Sequence, residues 1–124
     1  MNPSAIEVSA ETFYIAAQSQ PEQHKFVFAY TIRIQNNSLE KVQLLRRHWL
    51  ITDANGLQVE VDGEGVVGEQ PELAPNESYS YTSGAVLETP VGTMQGHYIM
   101  QDNKRNEFQV AIPLFRLALP NILN

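Results

Sequence analysis

Strict alternation of apolar and polar residues runs through most of this chain. In the segment KFVFAYTIRIQ, residues 25–35, every second side chain is apolar: Phe26, Phe28, Tyr30, Ile32 and Ile34. Successive side chains of a strand point to opposite faces of a sheet, so this spacing buries one face and leaves the other polar. A helix would need apolar residues three and four positions apart. The pattern predicts a β-strand and directs the chain toward sheet architectures.

Six further segments have a strand pattern, and turn residues separate them about every ten residues. They are residues 5–17, 41–53, 57–63, a short strand with Tyr79 and Tyr81, 89–101 and 106–119. Asn55-Gly56 predicts a tight hairpin, residues 36–40 predict a turn, and Ser83 falls in a predicted turn. Seven strands of this kind predict an all-β fold, an immunoglobulin or fibronectin type III-like two-sheet antiparallel β-sandwich.

Two residues predict irregularities inside these strands. Gly96 marks a bulge or a close approach of another backbone, because glycine has no side chain to pack. Pro113 lacks the N–H that a central strand donates, so the last strand is expected to end there, to bulge, or to lie at an edge.

Length and composition limit the protein class. A chain of 124 residues, 43% hydrophobic and 18% charged, is expected to fold as one domain over residues 1–124. It has no cysteine, which excludes disulfides, thiolate zinc sites and cysteine nucleophiles. No apolar run approaches the roughly 18 residues of a membrane span, and the N-terminus lacks a signal-peptide pattern. A cytoplasmic protein is the expectation.

The charge distribution disfavours nucleic-acid binding. The formal net charge is −6, and residues 48–103 contain no lysine or arginine. The same span contains the acids Asp53, Glu60, Asp62, Glu64, Glu69, Glu72, Glu77, Glu88 and Asp102. A nucleic-acid interface needs clustered positive charge on one surface, which most of this chain does not supply.

The segment VDGEGVVGEQPELAP, residues 61–75, carries the spacing G-x-G-x-x-G at Gly63, Gly65 and Gly68. In a dinucleotide-binding loop a helix begins at these glycines and its free N–H groups meet the phosphates. Prolines at 71 and 75 exclude such a helix here. A P-loop would need a lysine directly after the last glycine, where Glu69 stands.

The preferred interpretation of these glycines is a sharp turn that needs positive φ. A phosphate-binding nest and a partner-binding loop are the alternatives. A phosphate would meet Asp62, Glu64, Glu69 and Glu72, so a nest would require Arg46, Arg47 or Lys104 to reach the loop.

Other candidate sites are weaker. Glu60, Asp62 and Glu64 alternate on one strand and are candidates for weak binding of a hard cation such as Mg²⁺, although solvated acids that discourage edge pairing are the simpler interpretation. The histidines His24, His48 and His97 lie on three segments, and no spacing requires them to form a zinc site. His48 and His97 become neighbours if their strands pair.

The segment RRHW allows two interpretations. Trp49 fits the core in phase with Leu45 and Ile51; alternatively, Arg47, His48 and Trp49 form an exposed interaction patch with the composition of an interface hot spot. No catalytic residue is nominated, because no G-x-S-x-G motif and no carboxylate pair with a buried member is present.

Several ordered blocks resemble the bacterial ApaG family. They are FVFAYTIRIQN, VQLLRRHWLITDANG, VEVDGEGVVGEQPELAP, YSYTSGAVLETPVGTMQGHYIM and FQVAIPLFRLALP, which extend from about Phe13 to Pro120. The resemblance implies a fibronectin type III or immunoglobulin-like sandwich. It also implies an association with cobalt resistance and magnesium efflux, genes near a diadenosine tetraphosphate hydrolase, and similarity to interaction domains of F-box and polymerase-delta-interacting proteins.

The family's glycine motif, interpreted as a pyrophosphate site, corresponds to Gly63, Gly65 and Gly68. The family supplies no catalytic residue. This chain departs from the family pattern at Asn76 and in DNKRNEF, two turns where glycine is usual.

These observations predict a non-enzymatic binding module without a cofactor. It is expected to contact another protein, linked to divalent-cation homeostasis, through sandwich loops or an edge strand. The alternative is a nucleotide or pyrophosphate binder, extending to a phosphohydrolase, that uses the glycine loop with Arg46 and Arg47 as supporting bases. Direct weak binding of a divalent cation is the third hypothesis.

Overall fold

The computed structural model describes residues 1–121 and is built almost entirely of strands. The strands are β1 Ile6–Tyr14, β2 Phe26–Asn36, β3 Val42–Asp53, β4 Gln58–Glu64, β5 Glu72–Leu73, β6 Ser78–Leu87, β7 Val91–Gln101 and β8 Glu107–Ala118. Three short 3₁₀ helices cover Pro3–Ala5, Ala16–Gln18 and Pro21–Gln23. Within residues 1–121 no helix has the length and apolar character needed to cross a membrane.

The strands form two antiparallel sheets that pack face to face. The first has the order β1-β2-β6 and the second the order β4-β3-β7-β8. The two-residue strand β5 pairs with the start of β3, where Val42 lies opposite Leu73. The predicted all-β sandwich of the immunoglobulin and fibronectin type III kind is confirmed.

The core lies between the inner faces of the two sheets. All five apolar residues of the β2 alternation are buried, and they face residues such as Leu44, Met94 and Tyr98 of the second sheet. The Trp49 ring packs edge-on against Tyr30 at 5.5 Å between centroids and against Phe115 at 5.8 Å. Full burial of each large apolar side chain is worth about 2 kcal/mol.

Both predicted irregularities are confirmed. A Cβ at Gly96 would overlap the carbonyl oxygen of His48, so β7 passes unusually close to β3 at this residue. Pro113 lies on the edge strand β8, where the register shifts between Met94 and Gly96. The missing N–H of the proline therefore interrupts no central ladder.

Three local predictions are wrong. β6 is ten residues long rather than short, and Ser83 lies inside it rather than in a turn. β5 was not predicted, because two residues are too few for a period to show. A bulge in β3 between Leu44 and Arg46 reverses the phase, so Leu44 is fully buried where the alternation favoured Leu45.

Two turns explain the departures from the family pattern. Asn76 has a φ of 68° and Arg105 a φ of 66°. This left-handed conformation suits glycine, because a side chain there meets steric resistance. Asparagine tolerates the conformation better than arginine does.

Candidate functional site

The three glycines build a tight hairpin between β4 and β5. The Val66 N–H donates to the Glu69 carbonyl at 2.8 Å, and the Glu69 N–H donates back to Val66 at 3.0 Å. Between them Val67 has a φ of 48° and Gly68 a φ of 80°. A two-residue loop with positive φ at both central positions is a type I′ turn, the loop preferred by hairpins.

Each glycine of the motif has its own steric cause. Gly65 has a φ of 62°, and a Cβ there would overlap the Glu69 carbonyl oxygen. A Cβ at Gly63 would lie 2.6 Å from the Arg47 Nη2, because the guanidinium crosses the backbone of β4. The prediction of positive φ is confirmed at Gly65 and Gly68 and is wrong at Gly63, where the Arg47 guanidinium packs closely against the glycine.

The amides of the hairpin are largely engaged within the protein. The Gly65 N–H donates to the Leu45 carbonyl at 2.8 Å, and the Val66 and Glu69 amides bond each other's carbonyls. An anion-binding nest uses consecutive free N–H groups. The intact hairpin therefore withholds three amides from any phosphate placed on it.

Val67 is a strained position at the tip of this hairpin. A β-branched residue at positive φ costs about 1 to 2 kcal/mol, and asparagine suits the first central position of a type I′ turn. We expect Val67→Asn to raise the free energy of unfolding by about 1 kcal/mol, measured by urea denaturation. Val67→Thr, which is also β-branched, is expected to leave it unchanged; equal stability of the two variants would contradict the strain argument.

Arg47 is the predicted base that hydrogen-bonds the glycine loop, and Arg46 lines a depression beside Gly63. Its Nη1 donates to the carbonyls of Glu64, at 3.0 Å, and Gly65, at 2.9 Å. Within residues 1–121 no carboxylate oxygen lies within 4 Å of its nitrogens. Arg46 instead pairs with Glu107 at 2.7 Å, and Lys104 lies in the turn between β7 and β8.

Arg47 borders an aromatic pocket of about 290 Å³. The pocket is lined by β2, β3, the glycine hairpin and β6, with the side chains of Tyr30, Trp49, Tyr81 and Ser83 among its walls. Burial raises the pKa of both Tyr30 and Tyr81, so these hydroxyls stay neutral. The Tyr81 hydroxyl is hydrogen-bonded to that of the buried Tyr98. The pocket has aromatic walls with Arg47 at its rim, and Glu64, Thr82 and Ser83 make much of its surface polar.

A second depression of about 160 Å³ lies on the same side of the sandwich. Ile51, Leu57, Val59, Val86 and Leu87 line it together with the acids Asp53 and Glu88. The opposite side is closed by contacts of β1 with β8. We call the open side between β4 and β6, from this depression to the aromatic pocket, the β4–β6 groove.

The groove concentrates exposed apolar side chains. The exposed fraction is 54% for Leu57, 49% for Val59, 63% for Val67 and 59% for Val86. Within residues 1–121 only β2 pairs with β6, so the other edge of β6 faces the groove without a strand partner.

The outer face of the second sheet carries the histidine pair. His48 and His97 lie opposite each other on β3 and β7, with ring centroids 5.0 Å apart, and the His48 Nδ1 lies 2.7 Å from the Asp62 carboxylate. His24 lies apart from this pair, at the end of a 3₁₀ helix. Across residues 1–121 no three histidine, aspartate or glutamate side chains are arranged to hold a metal ion, so Glu60, Asp62 and Glu64 are not brought together as ligands.

The segment RRHW is divided between two faces. Trp49 is buried in the core, which confirms the core interpretation, and Arg47 reaches the groove that Trp49 also lines. His48 stacks on His97 in another depression, which both Arg46 and Arg47 line. Trp49 is therefore not an exposed member of the alternative interaction patch, whereas Arg47 and His48 line one depression together.

Sequence reasoning did not single out the groove residues of β6. Val86 and Ser83 belong to a run, SYSYTSGAVL, that has no charged residue and no proline. The absence of both was the available signal of an unprotected edge.

The fold and the groove define a class, that of a two-sheet β-sandwich with one open side. The chain belongs to the ApaG domain family, whose model matches residues 16–102. It is 53% identical to Protein ApaG of Pectobacterium carotovorum subsp. carotovorum (strain PC1), covering 100% of this chain and 99% of the relative. Protein ApaG of Enterobacter sp. (strain 638) is 57% identical, covering 94% of each chain.

The solved structures agree with this assignment. A crystal structure of a Bordetella pertussis protein solved under the name ApaA has a TM-score of 0.92 with this chain. The two are 46% identical, and the match covers 94% of this chain and 95% of that one. The family resemblance is confirmed.

Proposed function

We propose that this chain is a non-enzymatic binding module that holds an extended segment of another protein along the free edge of β6. The observation that carries the proposal is the composition of that edge: ten residues, Ser78–Leu87, without a charge or a proline. An added strand would bond the unpaired N–H and C=O groups of β6 and place alternate side chains in the β4–β6 groove.

Comparison of the edge strands supports this choice. Natural sheets protect their edges with charges, prolines and bulges. β1 carries Glu7 and Glu11, β4 carries three acids, and β8 carries a proline, a bulge and charges at both ends. Of the long edge strands within residues 1–121, β6 alone has none of these devices, which is what a docking edge requires.

The groove beside β6 supports the same function. Val67 keeps an exposed apolar side chain at a strained φ on the hairpin tip, and strain of this kind collects at functional sites. Exposed apolar side chains that line one groove mark a binding surface more often than scattered ones do. By the family resemblance, we assign this binding to the cytoplasm and to the handling of cobalt and magnesium.

The proposal is tested by selecting peptides on the immobilised protein. The probe is a library of random heptapeptides displayed with free carboxyl termini, and the selected peptides are synthesised for binding measurements. We expect them to alternate apolar residues and to shift backbone amide resonances of residues 78–87. Val86→Lys should weaken them at least about tenfold, because it charges the docking edge.

Leu114→Lys is the matched control. Leu114 is 57% exposed on the edge strand β8, so it tests the same substitution away from the groove. We expect it to leave peptide binding unchanged. A selection that enriches no peptide, or peptides that bind all three proteins equally, would overturn the proposal.

Pyrophosphate or nucleotide binding is the second candidate function, favoured by the position of Arg47 at the glycine loop. Titrations with pyrophosphate, ATP, Mg²⁺ and Co²⁺, followed at the backbone amides, separate it from the first. We expect no saturable shifts in residues 63–68. Pyrophosphate shifts confined to those residues and lost in Arg47→Gln would favour the second candidate.

A further inference from the structure

We infer that the β4–β6 groove binds the free carboxyl terminus of its partner, with Arg47 as the residue that binds the terminal carboxylate. The inference rests on the proposed function and names the class of segment that this edge binds. It also sets the direction and the length of the bound peptide.

The first argument is the charge of Arg47. Its guanidinium is partly buried and fixed by two backbone carbonyls, and no carboxylate of residues 1–121 lies within 4 Å. The bonds to the carbonyls use Nη1, and the guanidinium carries three further N–H groups on Nη2 and Nε. A half-buried cation without an anion is costly, in a chain whose net charge is −6. An anionic ligand group at the rim of the aromatic pocket would remove that cost.

The second argument selects a carboxylate over a phosphate. Glu64 borders the same pocket, and Glu69 lies beside it, hydrogen-bonded to Tyr79. A pyrophosphate carries several charges and would meet these acids, whereas a carboxylate carries one. Three of the hairpin amides that could offset a phosphate, those of Gly65, Val66 and Glu69, are already bonded internally. A single carboxylate matches the planar guanidinium as a bidentate partner.

The third argument concerns the residue next to the carboxylate. Tyr30, Trp49 and Tyr81 line the pocket that Arg47 borders, together with polar residues such as Ser83. The space of about 290 Å³ has room for one side chain. A terminal residue such as leucine would place its side chain there and its carboxylate at Arg47. This combination distinguishes a chain terminus from an internal acidic residue, whose carboxylate and apolar neighbour lie on opposite sides of a strand.

The far end of the groove determines the length and the direction of the bound peptide. The depression around Leu57, Val59 and Val86 carries the acids Asp53 and Glu88, which suit a basic residue. Between the two ends the chain runs from Tyr81 through the end of β6 to Glu88, about 23 Å at the usual rise of a strand. A heptapeptide spans this distance. With its carboxyl end at Arg47, it runs antiparallel to β6 and begins with a basic residue.

The experiment compares one peptide as acid and as amide. The probe is Lys-Thr-Val-Thr-Val-Thr-Leu with an N-terminal fluorophore, and the readout is fluorescence anisotropy. We expect the acid to bind wild-type protein about 10- to 100-fold more tightly than the amide, the range of a hydrogen bond between charged groups. In Arg47→Gln the ratio should fall to about one, because glutamine keeps an amide for the loop carbonyls without the charge.

Arg46→Gln is the matched control, since Arg46 pairs with Glu107 away from the groove. It should keep the preference for the acid. Equal binding of acid and amide to wild-type protein, with both weakened by Val86→Lys, would overturn the carboxylate site while the proposed function stands. Displacement of the acid peptide by pyrophosphate would also overturn it. If neither form binds and the library yields no peptide, the proposed function fails with it.

Discussion

Gly96→Ala is expected to lower the free energy of unfolding by at least about 3 kcal/mol, a large part of the stability of a domain this size. The new Cβ would overlap the His48 carbonyl oxygen and lie 2.9 Å from the carbonyl carbon and 3.1 Å from the Trp49 Cα. These are backbone atoms of β3, which is paired on both sides by β4 and β7. The strand cannot move away without losing ladder hydrogen bonds.

The measurement is urea denaturation followed by circular dichroism, with Gly84→Ala as the matched control. Gly84 also lies within a strand, but its added Cβ would meet only the Phe28 carbonyl oxygen, at 3.3 Å. We expect that variant to stay within about 1 kcal/mol of wild type. If both substitutions cost the same, close approach at Gly96 is not what makes the residue necessary.

Asn36→Ala is expected to cost about 3 kcal/mol, because each buried polar group left without a partner costs about 1 to 3 kcal/mol. The Asn36 side chain is fully buried. Its Nδ2 donates to the carbonyls of Glu40 and Leu73 at 2.9 and 3.0 Å, and its Oδ1 accepts from the Ser38 N–H and Oγ at 3.0 and 2.6 Å. The Asn36 side chain therefore joins the β2–β3 turn to β5.

Two further variants test this role. Asn37→Ala, at the exposed neighbouring position, should change stability by less than about 0.5 kcal/mol. Asn36→Asp keeps the acceptor but directs a carboxylate at two carbonyls, which raises the pKa of that carboxyl in the folded state. The folded protein then binds the additional proton, so the stability of Asn36→Asp should recover as the pH falls toward that pKa. A deficit independent of pH would contradict the hydrogen-bond arrangement.

The strands and the positions that require glycine or proline could be predicted from the sequence, because they depend on residues close together in the chain. The β2 alternation, the Asn55-Gly56 hairpin and the positions of Gly96 and Pro113 all follow from local backbone chemistry, and the structure confirms them. The hairpin Val66–Glu69 was anticipated only as a sharp turn. Its type I′ geometry depends on a valine in a conformation that local preference disfavours.

The candidate site was harder to predict from the sequence, because its residues come from segments that are distant in the chain. Arg47 shares a face with Trp49, as the alternation predicts, but its bonds to the carbonyls of Glu64 and Gly65 depend on β4 pairing beside β3. Val86 matters because β6 is an edge strand, which is decided by the order of strands in the sheet. The groove itself exists because β1 approaches β8 on one side while β4 and β6 stay apart on the other.

The sequence by itself determined the all-β class, the places where glycine and proline are required, and the acidic surface, since these depend on residue type and short spacing. Only the tertiary structure decided which glycines have a positive φ and which one packs closely against a neighbour. It also decided which arginine bonds the glycine loop and which strand edge is left unpaired. Those outcomes depend on contacts between residues far apart in the chain. The alternation of apolar and polar residues cannot predict them, because it is the same on every strand whichever strand pairs with it.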